Sequence, residues 1–303
     1  MYIDGVFSGG GVKAIALVGA LEAVEKRGLR FKRAAGTSAG ALIAALVMAG
    51  YKSEDLKGIL TTTDLKQLLD QKKKLPFPMF KWLMLYWNLG LYSGKELERW
   101  VKQLLKAKGI ETFADLPDGS LRIIASDISS GRLIVLPDDL KNYGLVPERF
   151  SVARAIRMSA SLPYFFQPIP LYTIGGEKHY IVDGGMLSNF PLWVFEPEGA
   201  VAKRPVLGFQ LSSNFGEMPA RKIKNAVELY YALFSTMREA HDARYINDQK
   251  AAQIVFIPVQ QDLTTEFGLN RDAKDSLMRI GKERTEKFLS KWTKTTYKKR
   301  IDL

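Results

Sequence analysis

Phe31-Lys32-Arg33-Ala34-Ala35-Gly36-Thr37-Ser38-Ala39-Gly40-Ala41-Leu42-Ile43-Ala44-Ala45-Leu46-Val47-Met48-Ala49-Gly50 decides how this chain folds. Residues 31–35 read as a short strand, residues 36–40 as a glycine-bracketed turn, and residues 41–49 as an apolar helix stopped by Gly50. The same grammar occurs upstream. Tyr2–Phe7 is a short apolar run and Ser8-Gly9-Gly10-Gly11 is a turn; Val12, Ile15, Ala16, Val18, Ala20, Leu21 and Val24 then recur at helical spacing before Gly28. Two strand–turn–helix units in fifty residues predict an α/β fold.

Further along, residues 51–92 read as helical pieces with an aromatic segment. Ser93 with Glu96 predicts a capping box for a helix ending at Gly109. Strands are expected at 121–125, 132–136, 180–182, 206–211 and 254–259, a helix capped by Ser151 up to about Ser159, and a long helical stretch at 221–249. The expected architecture is three-layer α/β/α with a mostly parallel central sheet. One domain is expected over residues 1–303, with an aromatic and basic helical insertion at about 66–92 and a basic C-terminal helix at about 272–292.

Composition narrows the chemistry. With 303 residues, 47% of them hydrophobic, the chain can bury a large core and is not disordered. The absence of Cys excludes disulfides, zinc–thiolate sites and cysteine nucleophiles, and two His give no basis for a multi-His metal site. No metal and no cofactor is expected. The net charge of +12 implies an anionic partner. It is concentrated: residues 66–81 carry +4, residues 271–303 carry +6, and the other 254 residues only +2. That pattern points away from nucleic acid and towards an anionic surface touched by two segments. The first seven residues show no basic start of a Sec-type signal, and neither long apolar stretch, 34–50 or 75–92, is a clean span of ~20 apolar residues. A cytoplasmic or peripheral membrane location is the expectation.

Gly36-Thr37-Ser38-Ala39-Gly40 is G-x-S-x-G, a nucleophile elbow when a strand precedes it and a helix follows, and otherwise a buried turn before a core helix. In an elbow, the helix end would favour negative charge at Ser38. Gly9-Gly10-Gly11-Val12-Lys13 has three readings. Its unshielded N–H groups suit an oxyanion hole; Gly9-x-Gly11-x-x-Ala14 suits dinucleotide or phosphate binding; or it is simply a tight turn. A dinucleotide site also wants an acidic residue at the end of the next strand, where Ser38 stands. As base for Ser38 the candidates are His179, at a strand edge; His241, in a polar helical stretch; and Asp183, where Asp183-Gly184-Gly185 ends a strand.

Together these motifs resemble the patatin-like phospholipase family. G-G-G-x-K precedes G-T-S-A-G, with Ser38 lying 27 residues after Gly11, and D-G-G begins 145 residues after Ser38. Thr112-Phe113-Ala114-Asp115-Leu116, Ser159-Ala160-Ser161-Leu162-Pro163 with Phe166 and Pro168, Asn189-x-Pro191, and Phe267-Gly268-Leu269 also look like that family. Ser8, Lys13 and Ala14 depart from its pattern, which has an acidic residue, Arg and Gly there; Lys13 keeps the charge but not the planar fork. The resemblance implies Ser38 as nucleophile, Asp183 as its base, oxyanion donors from Gly9, Gly10 and Gly11, and hydrolysis of lipid acyl esters through an acyl-enzyme. A free Asp, at pKa ~4, is a weak base for this task.

A lipid substrate fits the aromatic segment, in which Phe77, Phe80, Trp82, Tyr86, Trp87 and Tyr92 follow Lys72, Lys73 and Lys74. Rings beside ammonium groups suit an anionic membrane interface; the competing reading is a packed helical layer over the core. A patatin-like membrane-binding protein with negligible catalysis is a further alternative.

Overall fold

The computed structural model describes residues 1–70, 85–195, 204–212, 223, 226–245, 253–259 and 268–292. Its strands are β1 (Tyr2–Phe7), β2 (Arg30–Thr37), β3 (Gly90–Tyr92), β4 (Leu121–Asp127), β5 (Arg132–Leu136), β6 (Tyr164–Phe166), β7 (Ile169–Tyr172), β8 (Lys178–Asp183), β9 (Val206–Ser212) and β10 (Ile254–Pro258). Its longer helices are α1 (Ile15–Lys26), α2 (Ala39–Met48), α3 (Ser53–Thr62), α4 (Lys95–Lys106), α5 (Val152–Ser159), α6 (Ala226–Tyr245) and α7 (Arg271–Lys291).

Five strands run parallel in the order β10-β9-β1-β2-β4. β4 then changes the sheet. Residues 121–124 pair with β2, whereas residues 125–127 pair antiparallel with β8. β5 runs antiparallel along residues 123–127. A strand has two edges: Ile123 pairs with both Gly36 and Leu136, and Ala125 with both Asp183 and Ile134. So β5 occupies one edge of β4, and β2 and β8 share the other end to end. Thr37 stands opposite Ile124 and Asp183 opposite the next residue, Ala125. The C-terminal ends of two strands running in opposite directions therefore meet, which is where a parallel sheet leaves a crevice for chemistry.

Alternation along the strands covers both sheet faces. Ile3, Phe7, Ala34 and Phe209 join the large core with α1, α2 and α7, with Phe7 and Phe209 stacked at 5.2 Å. Val6, Ala35, Val206 and Ile254 join a smaller core with Phe190, Leu192 and Phe195. α1 and α7 cross at two glycines: a Cβ on Gly19 would lie 1.8 Å from the Met278 carbonyl oxygen, and one on Gly281 would lie 1.8 Å from that of Ala16.

Several sequence expectations shift. The α4 start is capped by Asp70, not by Ser93 with Glu96. The Asp70 carboxylate accepts the Lys95 and Glu96 N–H groups and the Ser93 hydroxyl, while Gly94 takes the N-cap place at φ 69°. Desolvation raises the Asp70 pKa, but these hydrogen bonds outweigh it and leave the pKa below the usual carboxylate value. β3, β6 and β7 fall where no strand was expected. The basic C-terminal helix spends part of its charge internally. Buried Lys274 donates to the carbonyls of Leu60 and Thr63 at the end of α3, a cation placed at the negative end of a helix, and Lys282 pairs with Glu22 at 2.8 Å. Lys72, Lys73, Lys74, Phe77, Phe80, Trp82 and Phe267 lie outside the described residues. Among the described residues no helix is long and apolar enough to cross a membrane.

Candidate active site

Ser38 occupies the turn between β2 and α2 at φ 55° and ψ −124°, a conformation L-residues avoid. The turn is this tight because its glycines have no side chains. A Cβ on Gly36 would lie 2.4 Å from the Gly40 carbonyl oxygen, and one on Gly40 would lie 2.4 Å from those of Phe7 and Ser8. Ser38 is also the N-cap residue of α2. Serine there ordinarily spends its hydroxyl on the first helical N–H groups. Here its side chain makes no capping bond, so it remains free for other partners at the positive end of the helix.

That hydroxyl lies beside the Asp183 carboxyl, near enough to lower its pKa. The Asp183 carboxyl is buried and also accepts the Gly185 N–H at 2.7 Å. Burial is the strongest influence on it and raises its pKa from 3.8 to about 6, against the lowering effects of the Ser38 and Gly185 hydrogen bonds and the nearby Arg238 guanidinium on α6. A carboxyl at about 6 holds a proton more readily than an ordinary Asp and is still ionised at neutral pH.

The glycine loop leaves β1 beside this pair. Ser8 is buried and tied to β9, donating its N–H to the Phe209 carbonyl and accepting the Leu211 N–H on its hydroxyl. Gly9 gives its N–H to the Asn189 carbonyl at 3.0 Å, and a Cβ there would meet the Asn189 side chain at 2.5 Å. Gly9 is thus committed to the scaffold, which corrects the reading of all three glycines as free donors. Gly10 and Gly11 open a short helical turn (Gly11–Ala14), whose first N–H groups have no acceptor within the turn. Asn189 Nδ2 in turn donates to Asp242 on α6, so that helix, the Asp183 turn and the glycine loop are joined.

The structure thus brings Ser38, Asp183 and the glycine loop together. It places His179 elsewhere: Nδ1 sits 2.7 Å from the Asp127 carboxylate, which also accepts the Tyr143 hydroxyl. The His241 side chain lies outside the described residues. No carboxylate ends β2, where a dinucleotide ribose would need one. Sequence reasoning missed Arg238, and it gave no role to Ser159, whose buried hydroxyl accepts the Ser38 N–H at 2.8 Å.

The family profile described as patatin-like phospholipase matches residues 5–195. An uncharacterised protein of Bacillus subtilis, YqhO, is 53% identical over 97% of this chain and 100% of its own length. The triacylglycerol lipase ptl3 of Schizosaccharomyces pombe is 29% identical over 62% of this chain and 38% of its own. The crystal structure of VipD from Legionella pneumophila superposes with a TM-score of 0.54 at 18% identity, covering 95% of this chain and 66% of that one, a likeness of fold.

Proposed function

This chain belongs to the patatin-like phospholipase family, and from that premise we propose that it is a lipid acyl hydrolase working through a Ser38–Asp183 dyad. The observation that carries the proposal is the uncapped Ser38 hydroxyl at the N-terminus of α2, beside the buried Asp183 carboxyl.

Asp183 takes the hydroxyl proton as the Ser38 oxygen attacks the acyl carbonyl carbon. The oxyanion of the tetrahedral intermediate is met by the N–H groups of Gly10 and Gly11 and by the positive end of α2. Asp183 returns the proton to the departing alcohol oxygen, leaving an acyl-enzyme. Water then attacks the acyl carbonyl, gives its proton to Asp183, and releases the fatty acid as Ser38 regains a proton. The step uses no metal and no cofactor. Similarity to ptl3, a triacylglycerol lipase, supports the acyl-ester class.

The substrate is reached at a membrane surface. Tyr86 and Trp87 are 76% and 73% exposed, and Leu89 and Tyr164 are exposed beside the β3–β6 pair. On α6, Leu229, Leu233 and Met237 form an exposed stripe at i, i+4 and i+8. On the same helix Tyr230 packs against Tyr164 and Arg238 lies near Asp183, so this apolar surface adjoins the dyad. Large exposed apolar patches suit lipid or protein contact.

The test is fatty-acid release from a panel of phospholipids and glycerides. Wild type should release it, and Ser38→Ala and Asp183→Asn should each lose at least about a thousandfold in kcat. Turnover surviving in Ser38→Ala would refute the dyad.

A further inference from the structure

Arg157 is the largest side chain buried below 2% exposure. Its guanidinium forms no salt bridge with a carboxylate among the described residues, and desolvation lowers its pKa to about 10. A buried unpaired charge is costly unless every donor finds an oxygen. Here four of the five N–H donors do: Nε donates to the Gly94 carbonyl, Nη2 to those of Ser93 and Gln167, and Nη1 to the Ser161 hydroxyl. The ring of Phe166 lies 4.8 Å away. Gly94 makes room, since a Cβ there would lie 2.0 Å from Arg157 Nε.

One turn of chain from Arg157 reaches both members of the dyad. Ser159 gives its only proton to the Ile124 carbonyl, so its lone pair is directed at the Ser38 N–H. Ser161 gives its proton to the Arg157 carbonyl and accepts from the guanidinium; its own carbonyl accepts the Asp183 N–H at 3.0 Å. Ile124, which anchors Ser159, is also the β4 residue opposite Thr37. Nucleophile and base come from strands far apart in sequence, yet both backbone N–H groups end on residues 159–161.

We infer that Ser159, held by the Ile124 carbonyl, and Ser161, clamped by Arg157, are positioning residues that set the Ser38–Asp183 geometry. Ser159 holds the strained elbow and Arg157 holds, through Ser161, the end of β8. The inference rests on the dyad proposed above. With Ser38 N–H already occupied by Ser159, that group is also excluded from the oxyanion donors, leaving the task to the glycine loop.

The experiment is steady-state hydrolysis of a soluble short-chain ester, with active sites counted by saturating fluorophosphonate labelling and folding followed by thermal melts. In Ser159→Ala, kcat per labelled site should fall about a hundredfold, the cost of a misplaced reacting group, with KM within about twofold. Ser159→Thr, which keeps the hydroxyl, should recover most of the loss. Arg157→Lys, which keeps charge but loses the fork, should lower kcat per labelled site about tenfold. A merely structural role would lower the melting temperature and the number of labelled sites, yet leave kcat per site at the wild-type value; that result overturns the inference. If Ser159→Ala does not fold, Ser159→Cys, similar in shape but a weak acceptor, gives the same reading: a lowered kcat per site supports the inference and an unchanged one overturns it. Wild type that neither labels nor hydrolyses would instead refute the dyad itself.

Discussion

Asp183 is kept from water in the folded chain and exposed to it in the unfolded one. Its pKa is about 6 when folded and close to 3.8 when unfolded. Between those values the native state holds a proton that the unfolded state has lost, so stability falls as pH rises from about 4 to about 6. Above that the chain bears a penalty of about 3 kcal/mol, from 1.36 kcal/mol per pH unit. Asp183→Asn should therefore be more stable than wild type at pH 8, by up to about 3 kcal/mol, and equal to it near pH 4. Urea unfolding at the two pH values checks this; equal stability at pH 8 would mean that the carboxyl is not held against its preference. The same ionisation should appear in kinetics, with kcat/KM rising through about pH 6 and levelling above. A histidine base would titrate near ~6.5, so the profile alone does not separate the two. His179→Ala and His241→Ala together do: activity should survive both, His179 being engaged with Asp127.

At the scale of elements, the strand–turn–helix units were legible because glycine punctuation and apolar periodicity are local signals. The Ser38 elbow needed only residues 31–50. Asp183 was legible as a strand end, but its meeting with Ser38 depends on β2 and β8 sharing one edge of β4, a pairing no local pattern carries. The α4 cap was misread for the same reason, because Asp70 reaches it from outside the local window and outcompetes the local Ser93–Glu96 pair. β6 and β7 were hidden in short aromatic and proline-containing runs. Arg157 left no distinguishing trace, since Arg154 is a second charge in the same short helix. The glycines give a matched pair of predictions. Gly281→Ala should cost about 3 kcal/mol or more, since its methyl meets the Ala16 backbone in a packed crossing. Gly58→Ala, in exposed α3 with nothing within 4 Å, should instead stabilise by about 0.5–1 kcal/mol. Thermal unfolding of both variants decides; a tolerated Gly281→Ala would argue against the α1–α7 crossing.

Over the whole molecule, the uneven charge has acquired a partial explanation. Lys274 and Lys282 are engaged within the fold, so the C-terminal excess is not all available to a surface. The cluster Lys72, Lys73 and Lys74 adjoins in sequence the segment leading to exposed Tyr86 and Trp87. Replacing the three lysines by Glu should weaken binding to anionic vesicles by on the order of 1 kcal/mol per charge removed, an effect that shrinks with added salt. Sedimentation with phosphatidylserine-containing vesicles reads it directly; unchanged binding would exclude this cluster from the interface.

The most direct measurement for the dyad is mass-spectrometric mapping of a fluorophosphonate adduct on wild type, Ser38→Ala and Asp183→Asn. The expected result is a single adduct on the peptide carrying Ser38 in wild type, none in Ser38→Ala, and adduct formation slowed at least about a hundredfold in Asp183→Asn. An adduct on another serine, or equal labelling of Asp183→Asn and wild type, would contradict it.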